Sequence, residues 1–574
     1  MGYSGAYFEG KVYFIPGARG KFKSKELNRG ASLDNNTIVL IAPSDNGFDC
    51  NDTTLPFEKR VMEFTNFQEA KDILISGTAL DTIKACFSPT KDQRFSSGAS
   101  LVKLLNVKPN VSASIVQDGH TISATIPGSE GNKIRFKITS IDEISITDGT
   151  NSYKQTSLDQ EDLYIAYTGN GTACTITINA TSISSTITGQ TDTSLNFSLL
   201  LADYPTLADL YDKINSLVGY SCIIKSKPDQ LSANLDQVTA ISILLGASFK
   251  CNFYRQVLFM ESTGLVEVTK VGNVPFTNTA NFIYLFGGVV GVEVTQDYID
   301  ALEFSKEVSG LYRNVCSENI AIASKLSEVV NYLNSPDGCN ETFGGCGVDT
   351  TLTLDERIDL IKSINNEFVC CGISQIENYK ADGVTKSTFG SWYISLLHNS
   401  AKASTNPKES LTYKDLNIIN CPEMLTKNQK DKVIQAGGLY VDRKPNKGAW
   451  KIGFALTTYQ KSDSILTQAS KVCTVLVMSK DLRESLQERF LAEIVDDADI
   501  RIFVNGKLDE YENRYGYLSK NIYTGDPAYD PNYSIQRDAD KIYFVFPDAK
   551  LVSPINFFFH IFNLSEVKGT STGV

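Results

Sequence analysis

Histidine is scarce in this 574-residue chain, which contains only His120, His398 and His560. That leaves little material for imidazole-based acid–base catalysis or histidine-rich metal centres. His560 lies inside an apolar run and reads as a packed edge residue. Long apolar runs are missing too: none reaches the ~18–20 residues a membrane-spanning helix needs. The opening MGYSGAYFEG has neither the basic start nor the apolar centre of a secretory signal, so none is expected. Excess positive charge is absent. The net charge of −12 and pI near 5.0 argue against a protein that coats nucleic acid. Twelve cysteines are far from disulfide-scaffold density and fit a reducing compartment. Cys339 and Cys346 have six residues between them, and the adjacent Cys370 and Cys371, on a strand, point to opposite faces, so structural zinc is disfavoured. Buried thiols or one loop-closing disulfide fit better. GARGK (Gly17–Lys21) lacks phosphate-loop spacing, and GGVVG (Gly287–Gly291) falls short of a dinucleotide fingerprint. No catalytic residue, metal ligand or cofactor is assigned, and no enzyme is expected.

What is present is an ordered alternation of apolar patterns. Residues 1–34 are Gly-rich and basic, with the short alternation Val12, Tyr13, Phe14, Ile15, and read as an extended arm that can form a strand. Residues 1–30 carry a net +4 against −16 for the rest, which suggests docking on another copy or a solvated tail. TIVLIAP (Thr37–Pro43) is a buried-strand signal. NFQEAKDIL and TALDTIKACF carry helical stripes, and SLVKLLNV (Ser100–Val107) is a strand. Residues 35–110 therefore open an α/β domain. Residues 111–265 turn Thr/Ser/Ile-rich with short alternating runs, and read as an inserted, mostly β outer domain with one helix after Pro205. From 266 to 420 the α/β character returns. NFIYLFGG (Asn281–Gly288) is expected to be a buried strand, helices are expected at 295–308, 317–333, 353–366 and 389–403, and EFVCCGIS to be an apolar strand. Residues 421–552 form a C-terminal domain, with a helix to Ile434 and a strand at Trp450–Leu456. Leu482, Leu486, Phe490 and Ile494 recur at i, i+4, i+8 and i+12, which predicts a helix. Periodicity leaves Val472–Met478 open between strand and helix.

The chain closes on an aromatic segment. Lys541–Leu564 holds six of the thirty phenylalanines, where termini are usually polar. Ile542, Phe544 and Phe546 alternate before the Ser553-Pro554 break. Ile555, Phe557, Phe559 and Ile561 alternate after it with Phe558, His560 and Phe562. Both faces of such strands are apolar. The second run is either a last core strand or one donated to a neighbouring subunit.

In this order the motifs resemble the contractile tail sheath family of bacteriophages, related to type VI secretion and contractile bacteriocin sheaths. The resemblance rests on TIVLIAPSDNG, FTNFQEAKDIL, TALDTIKACF and GASLVKLLNVKPNVSASI, on GSEGNKIRFKI with its Gly-Asn-x-Ile signature, and on TLADLYDKINSLVGYSC. Further along, GSWYISLLHNS…ESLTYKDL, AGGLYVDRK…AWKIGFALTTY and LRESLQERF continue it. The late helix lacks the family's small-residue run, and 310–370 matches none of its segments. The resemblance implies an α/β (α+β) multidomain fold: a sheath core, an inserted β domain and strand arms at both ends. It implies an N-terminal arm through Val12, Tyr13, Phe14 and Ile15, and a C-terminal arm at 553–574 through Ile555, Phe557, Phe558, Phe559, Ile561 and Phe562. It also implies a tube-facing helix bearing Arg483, Glu484, Gln487, Glu488 and Arg489. Its implied partners are further copies in stacked hexameric rings, a tail tube protein, and baseplate and tail terminator proteins, with no nucleic acid and no membrane insertion. The implied setting is a virion tail assembled in the host cytoplasm, where contraction drives the tube through the host envelope. The competing expectation, from the Ser/Thr-rich insert, is a surface adhesin or glycan-binding virion protein.

Overall fold

The structure, a computed structural model, describes residues 6–8, 11–13, 36–92, 98–189, 195–335, 337–443, 448–461, 465–490, 496–520, 525–538, 541–545 and 549–552. It divides into two compact units: Lys108–Val292 with Asp45–Asp49, and the flanking segments, which include Cys50–Val107 and continue from Glu293.

The flanking unit is built on a seven-stranded sheet. From one edge its strands are Gly438–Leu439, Val369–Gly372, Phe343–Gly347, Tyr312–Val315, Thr37–Ala42, Leu101–Asn106 and Met62–Phe64. All neighbours run parallel except the last, Met62–Phe64, which pairs antiparallel with Leu101–Asn106. A parallel sheet needs cover on both faces, which is why its strands read as unbroken apolar runs. Ile38, Leu40 and Ala42 enter one core with the helices Phe67–Leu74, Thr78–Phe87, Trp392–Ala403, Ala469–Phe490 and Asp497–Asn513. Val39 and Ile41 enter the other, against Thr295–Phe304, Ile320–Leu333, Leu354–Ile364 and Lys427–Ala436. Cys370 and Cys371 split between the two cores in the same way. The segment 310–370, which resembles no family motif in sequence, supplies the strands Tyr312–Val315 and Phe343–Gly347 and the start of Val369–Gly372.

Helix Trp392–Ala403 lies buried along its whole length. Two glycines allow it to sit so low on the sheet: a Cβ on Gly347 would lie 2.3 Å from Trp392 N, and one on Gly372 1.9 Å from the Ser391 carbonyl oxygen. The small residues that the helix lacks are therefore on the strands beneath it. Arg313 is fully buried, and its guanidinium donates to the carbonyls of Ser305 (2.9 Å), Val308 (2.5 Å) and Gly310 (3.0 Å) and to Thr342 Oγ1 (2.6 Å). It collects carbonyls at the end of a helix, and burial pulls its pKa down to about 9.

The inserted unit is a set of small antiparallel sheets around two cores. One core gathers residues between Ala113 and Leu158 with others between Phe253 and Leu285; the other gathers Leu163–Cys251. The unit extends past residue 265, because Val266–Thr269 pairs with His120–Ala124, and Ile283–Tyr284 with Arg135–Ser140. NFIYLFGG is thus no buried strand of the α/β sheet. Only Ile283–Tyr284 is strand, on the edge of a sheet in the insert. Its inner residue Leu285 is buried, while Phe282, Tyr284 and Phe286 face solvent, so the unbroken apolar run does not reflect two covered faces. One other expectation changes: the strand at Trp450–Leu456 shrinks to Lys451–Ile452. Val472–Met478, which periodicity left open, is helix, within Ala469–Phe490.

Candidate functional site

Among the described residues no group of His, Cys, Asp and Glu could hold a metal ion. All twelve cysteines are free thiols; Cys339 is exposed and the rest are buried. His398 lies in the core beside Cys370 and Asn399, its Nδ1 2.9 Å from Asn399 Oδ1, and burial pushes its pKa down to about 4. Lys402, also buried, donates to the carbonyls of Asn406 and Glu409, with its pKa lowered to about 8 by burial. Lys402 thus ties backbone together inside the fold, while His398 is held by neighbouring side chains.

The surfaces that can act are structural. Helix Ala469–Phe490 buries Val472, Cys473, Leu476 and Val477, and lays Leu482, Leu486 and Phe490 half-buried on the same core. Among its charged residues, Arg483 is held by a bidentate pair to Glu341, Nε to Oε1 at 2.9 Å and Nη2 to Oε2 at 2.6 Å. Glu341 holds the Arg483 guanidinium above its usual pKa. Glu484 sits 3.6 Å from the same guanidinium, and Gln487 Oε1 accepts from it at 3.2 Å. Gln487, Glu488 and Arg489 are the exposed members of the set. Arg489 lies over the rings of Phe490 and Phe503, at 5.5 and 5.0 Å. Helix Asp497–Asn513 packs alongside, with Phe503 edge-on to Phe490 at 5.2 Å and Lys507 paired to buried Asp481 at 3.2 Å. An open groove lined by Arg489, Phe490, Ile502 and Phe503 separates the helices, and Ile502 is 70% exposed.

The Gly-Asn signature of the insert acquires a role. Asn132 exchanges two hydrogen bonds with Gly288, donating to its carbonyl at 2.8 Å and accepting from its N–H at 2.9 Å. Gly131 lies against the Cβ atoms of Ala113 and Ala124, where an added Cβ would come within 3.0 Å of both. Asn110 Oδ1 accepts from Gly291 N at 3.0 Å. These contacts fasten the outgoing chain of the insert to its returning chain.

No family profile matches the chain. A tail sheath protein of Bacillus phage SP01 is 22% identical to it over 524 residues, covering 85% of this chain and 86% of its relative. A sheath tail protein of Desulfitobacterium hafniense superposes with a TM-score of 0.51 at 12% identity, over 93% of this chain and 100% of the other. The chain has the tail sheath fold. A second sheath tail protein, from Listeria innocua, agrees with a TM-score of 0.52 at 11% identity over 87% of each chain.

Of the two expected arms, only part of the N-terminal one lies within the described residues. Val12 and Tyr13 lie on the Lys11–Tyr13 strand, paired antiparallel with Ala6–Phe8. Phe14 and Ile15 lie outside the described residues, as do Ile555, Phe557, Phe558, Phe559, Ile561, Phe562 and His560. Lys541–Val545 forms a two-stranded antiparallel ribbon with Ser534–Asp538. The contact missed from sequence is Glu341, which lies 142 residues from Arg483 with no local signal linking them.

Proposed function

We propose that the chain is a structural, non-enzymatic subunit of a contractile phage tail sheath, polymerising around an inner tail tube and contracting to drive that tube through the host envelope for genome delivery. The observation that carries this reading is the tail sheath fold over nearly the whole chain, joined to a sequence relative of the same kind of comparable length. Subunits form hexameric rings stacked into a helix. The N-terminal arm, through Val12 to Ile15, and the C-terminal run, through Ile555 to Phe562, add strands to a sheet of a neighbouring subunit. The ribbon of Ser534–Asp538 and Lys541–Val545 supports this. It has two strands among the described residues, so its outer edges offer backbone groups to further strands.

The tube lies against helix Ala469–Phe490. Gln487, Glu488 and Arg489 meet it directly, while Arg483, held back by Glu341 and with Glu484 beside it, sets the helix orientation. Baseplate and terminator proteins close the two ends, and assembly takes place in the host cytoplasm before the particle is released. Contraction is a rigid-body rearrangement of subunits whose energy resides in the metastable extended lattice, so no nucleotide is consumed. The test is deletion of 553–574. The full chain should form long striated cylinders in negative stain and the truncated chain only short or single-ring particles. Cylinders of normal length from the truncated chain would refute strand donation by the C-terminal run.

A further inference from the structure

The insert carries an aromatic strip that, among the described residues, stands largely in solvent. On the edge strand around Ile283–Tyr284 the inward residue Leu285 is 1% exposed, whereas Phe282, Tyr284 and Phe286 are 41%, 49% and 65% exposed. Alternation places the three rings on one face. Outward positions of a half-solvated antiparallel sheet are normally polar, so three consecutive outward aromatics invert the rule. The strip also widens sideways. Phe286 bridges to Ser114, and Val116, two residues on, faces the same side. Val116 is 64% exposed.

The rings are held in place rather than loose. The Arg135 guanidinium lies 5.3 Å from the ring centres of both Phe282 and Tyr284, and donates to the Tyr284 hydroxyl. Such stacking fixes the rings before any partner arrives, so little side-chain entropy is lost on docking.

Size and charge narrow the occupant. At roughly 200 Å² per whole aromatic side chain, the three rings alone leave about 300 Å² in water. With Val116 the patch falls within the ~300–600 Å² of the largest apolar patches on monomers. That is too broad for a single sugar ring, yet below the ~800 Å² per partner of a self-sufficient protein interface. A contact of this size suits a partner held by other bonds and met repeatedly, where effective concentration makes a weak contact count. The cations beside the strip, Arg135 and Lys137, would meet an acidic partner surface. Residues 108–292 hold sixteen acidic against eleven basic side chains, a net of −5, so another copy of the insert offers that surface.

We propose that the aromatic strip of one subunit docks on a second copy of this chain, so that the insert is a lateral contact of the assembly rather than an outward decoration. This rests on the sheath reading, which supplies the repeated neighbours; the arms are a separate link. The two faces joined are not the same patch, because an acidic surface must meet the Arg135 side. The contact is therefore head-to-tail and can continue indefinitely.

The test uses the full chain with a photo-activated cross-linker in place of Phe286, mixed with a differently tagged copy, together with the charge variant Tyr284→Glu/Phe286→Glu. The expected results are a cross-linked dimer joining the two tags, with the captured peptide between residues 108 and 292, and an approximately tenfold rise in the concentration at which the charge variant assembles. Because the replaced rings are in solvent, the variant's circular dichroism and melting should match the parent. A cross-link to carbohydrate or to the carrier chain alone would overturn the proposal, as would normal assembly of the charge variant. Failure of the parent to form cylinders, with the inter-copy cross-link still present, would overturn the sheath reading and leave this contact standing.

Discussion

Replacing Gly372 with alanine tests the architecture where it is tightest. A Cβ at Gly372 would stand 1.9 Å from the Ser391 carbonyl oxygen and 3.2 Å from Ile394 Cβ. Ordinary contact begins at 3.4 Å, so the start of helix Trp392–Ala403 would have to rise by roughly 1.5 Å to accept one methyl group. It is poorly placed to rise. Ser391 Oγ accepts from Val348 N at 2.8 Å and donates to Val348 O at 2.7 Å, and every residue of the helix is buried. Overpacking of this kind costs about 3 kcal/mol, near the top of the usual range. Gly506 is the control: in helix Asp497–Asn513 nothing lies within 4 Å of its added Cβ, so Gly506→Ala should stabilise by about 0.5–1 kcal/mol. Both variants restrict the unfolded chain identically, so the sign difference comes from the folded state. The readout is built in, because the only two tryptophans, Trp392 and Trp450, both belong to the flanking unit. With a urea m-value of about 3 kcal/mol/M, Gly372→Ala should lower the fluorescence midpoint by about 1 M and Gly506→Ala should raise it by about 0.2–0.3 M. A Gly372→Ala midpoint at or above the parent's would refute the close helix–sheet approach.

Two further outcomes follow from the same unit. Glu341→Ala strips Arg483 of its bidentate partner and should cost about 2 kcal/mol, measured by the same fluorescence midpoint; an unchanged midpoint would mean the pair does not anchor the helix. His398 has a pKa lowered to about 4 by burial, against ~6.5 in an unfolded chain. Between these values the unfolded state binds the proton and the folded state does not. Stability is therefore fully present above pH ~6.5 and falls as pH drops towards 4, by about 3 kcal/mol in total. Urea midpoints from pH 4 to 7.5 should show a shallower slope for His398→Asn than for the parent; identical slopes would contradict a neutral, buried His398.

Much of the fold was legible where a period and a length agreed. Thr37–Pro43, the stripes of Phe67–Leu74 and Thr78–Phe87, and the Leu482, Leu486, Phe490 series each announce one element, and the structure has them. The opposite-face rule for Cys370 and Cys371 holds because strand alternation does not depend on context. Elsewhere the signal was hidden. FGGCG (Phe343–Gly347) carries no strand period, because the glycines that make room for a helix look like turn residues. NFIYLFGG failed for the opposite reason. Its apolar residues suggested cover on both faces, but only the Leu285 side is covered, while Phe282, Tyr284 and Phe286 stand in solvent. The pairing of Arg483 with Glu341 was beyond any local pattern, since it depends on the sheet bringing distant segments together. Composition and spacing suggested an N-terminal arm, a donated C-terminal strand as one of two readings, and the helix itself; the expectation that this helix faces a tube came from the family resemblance alone.

The most direct test of the central claim is electron microscopy of the purified full-length chain, expressed without other phage proteins. The account predicts hollow, regularly striated cylinders whose subunits contain the seven-stranded α/β unit and an insert within reach of its neighbour. Discrete monomers across the accessible concentration range would contradict it.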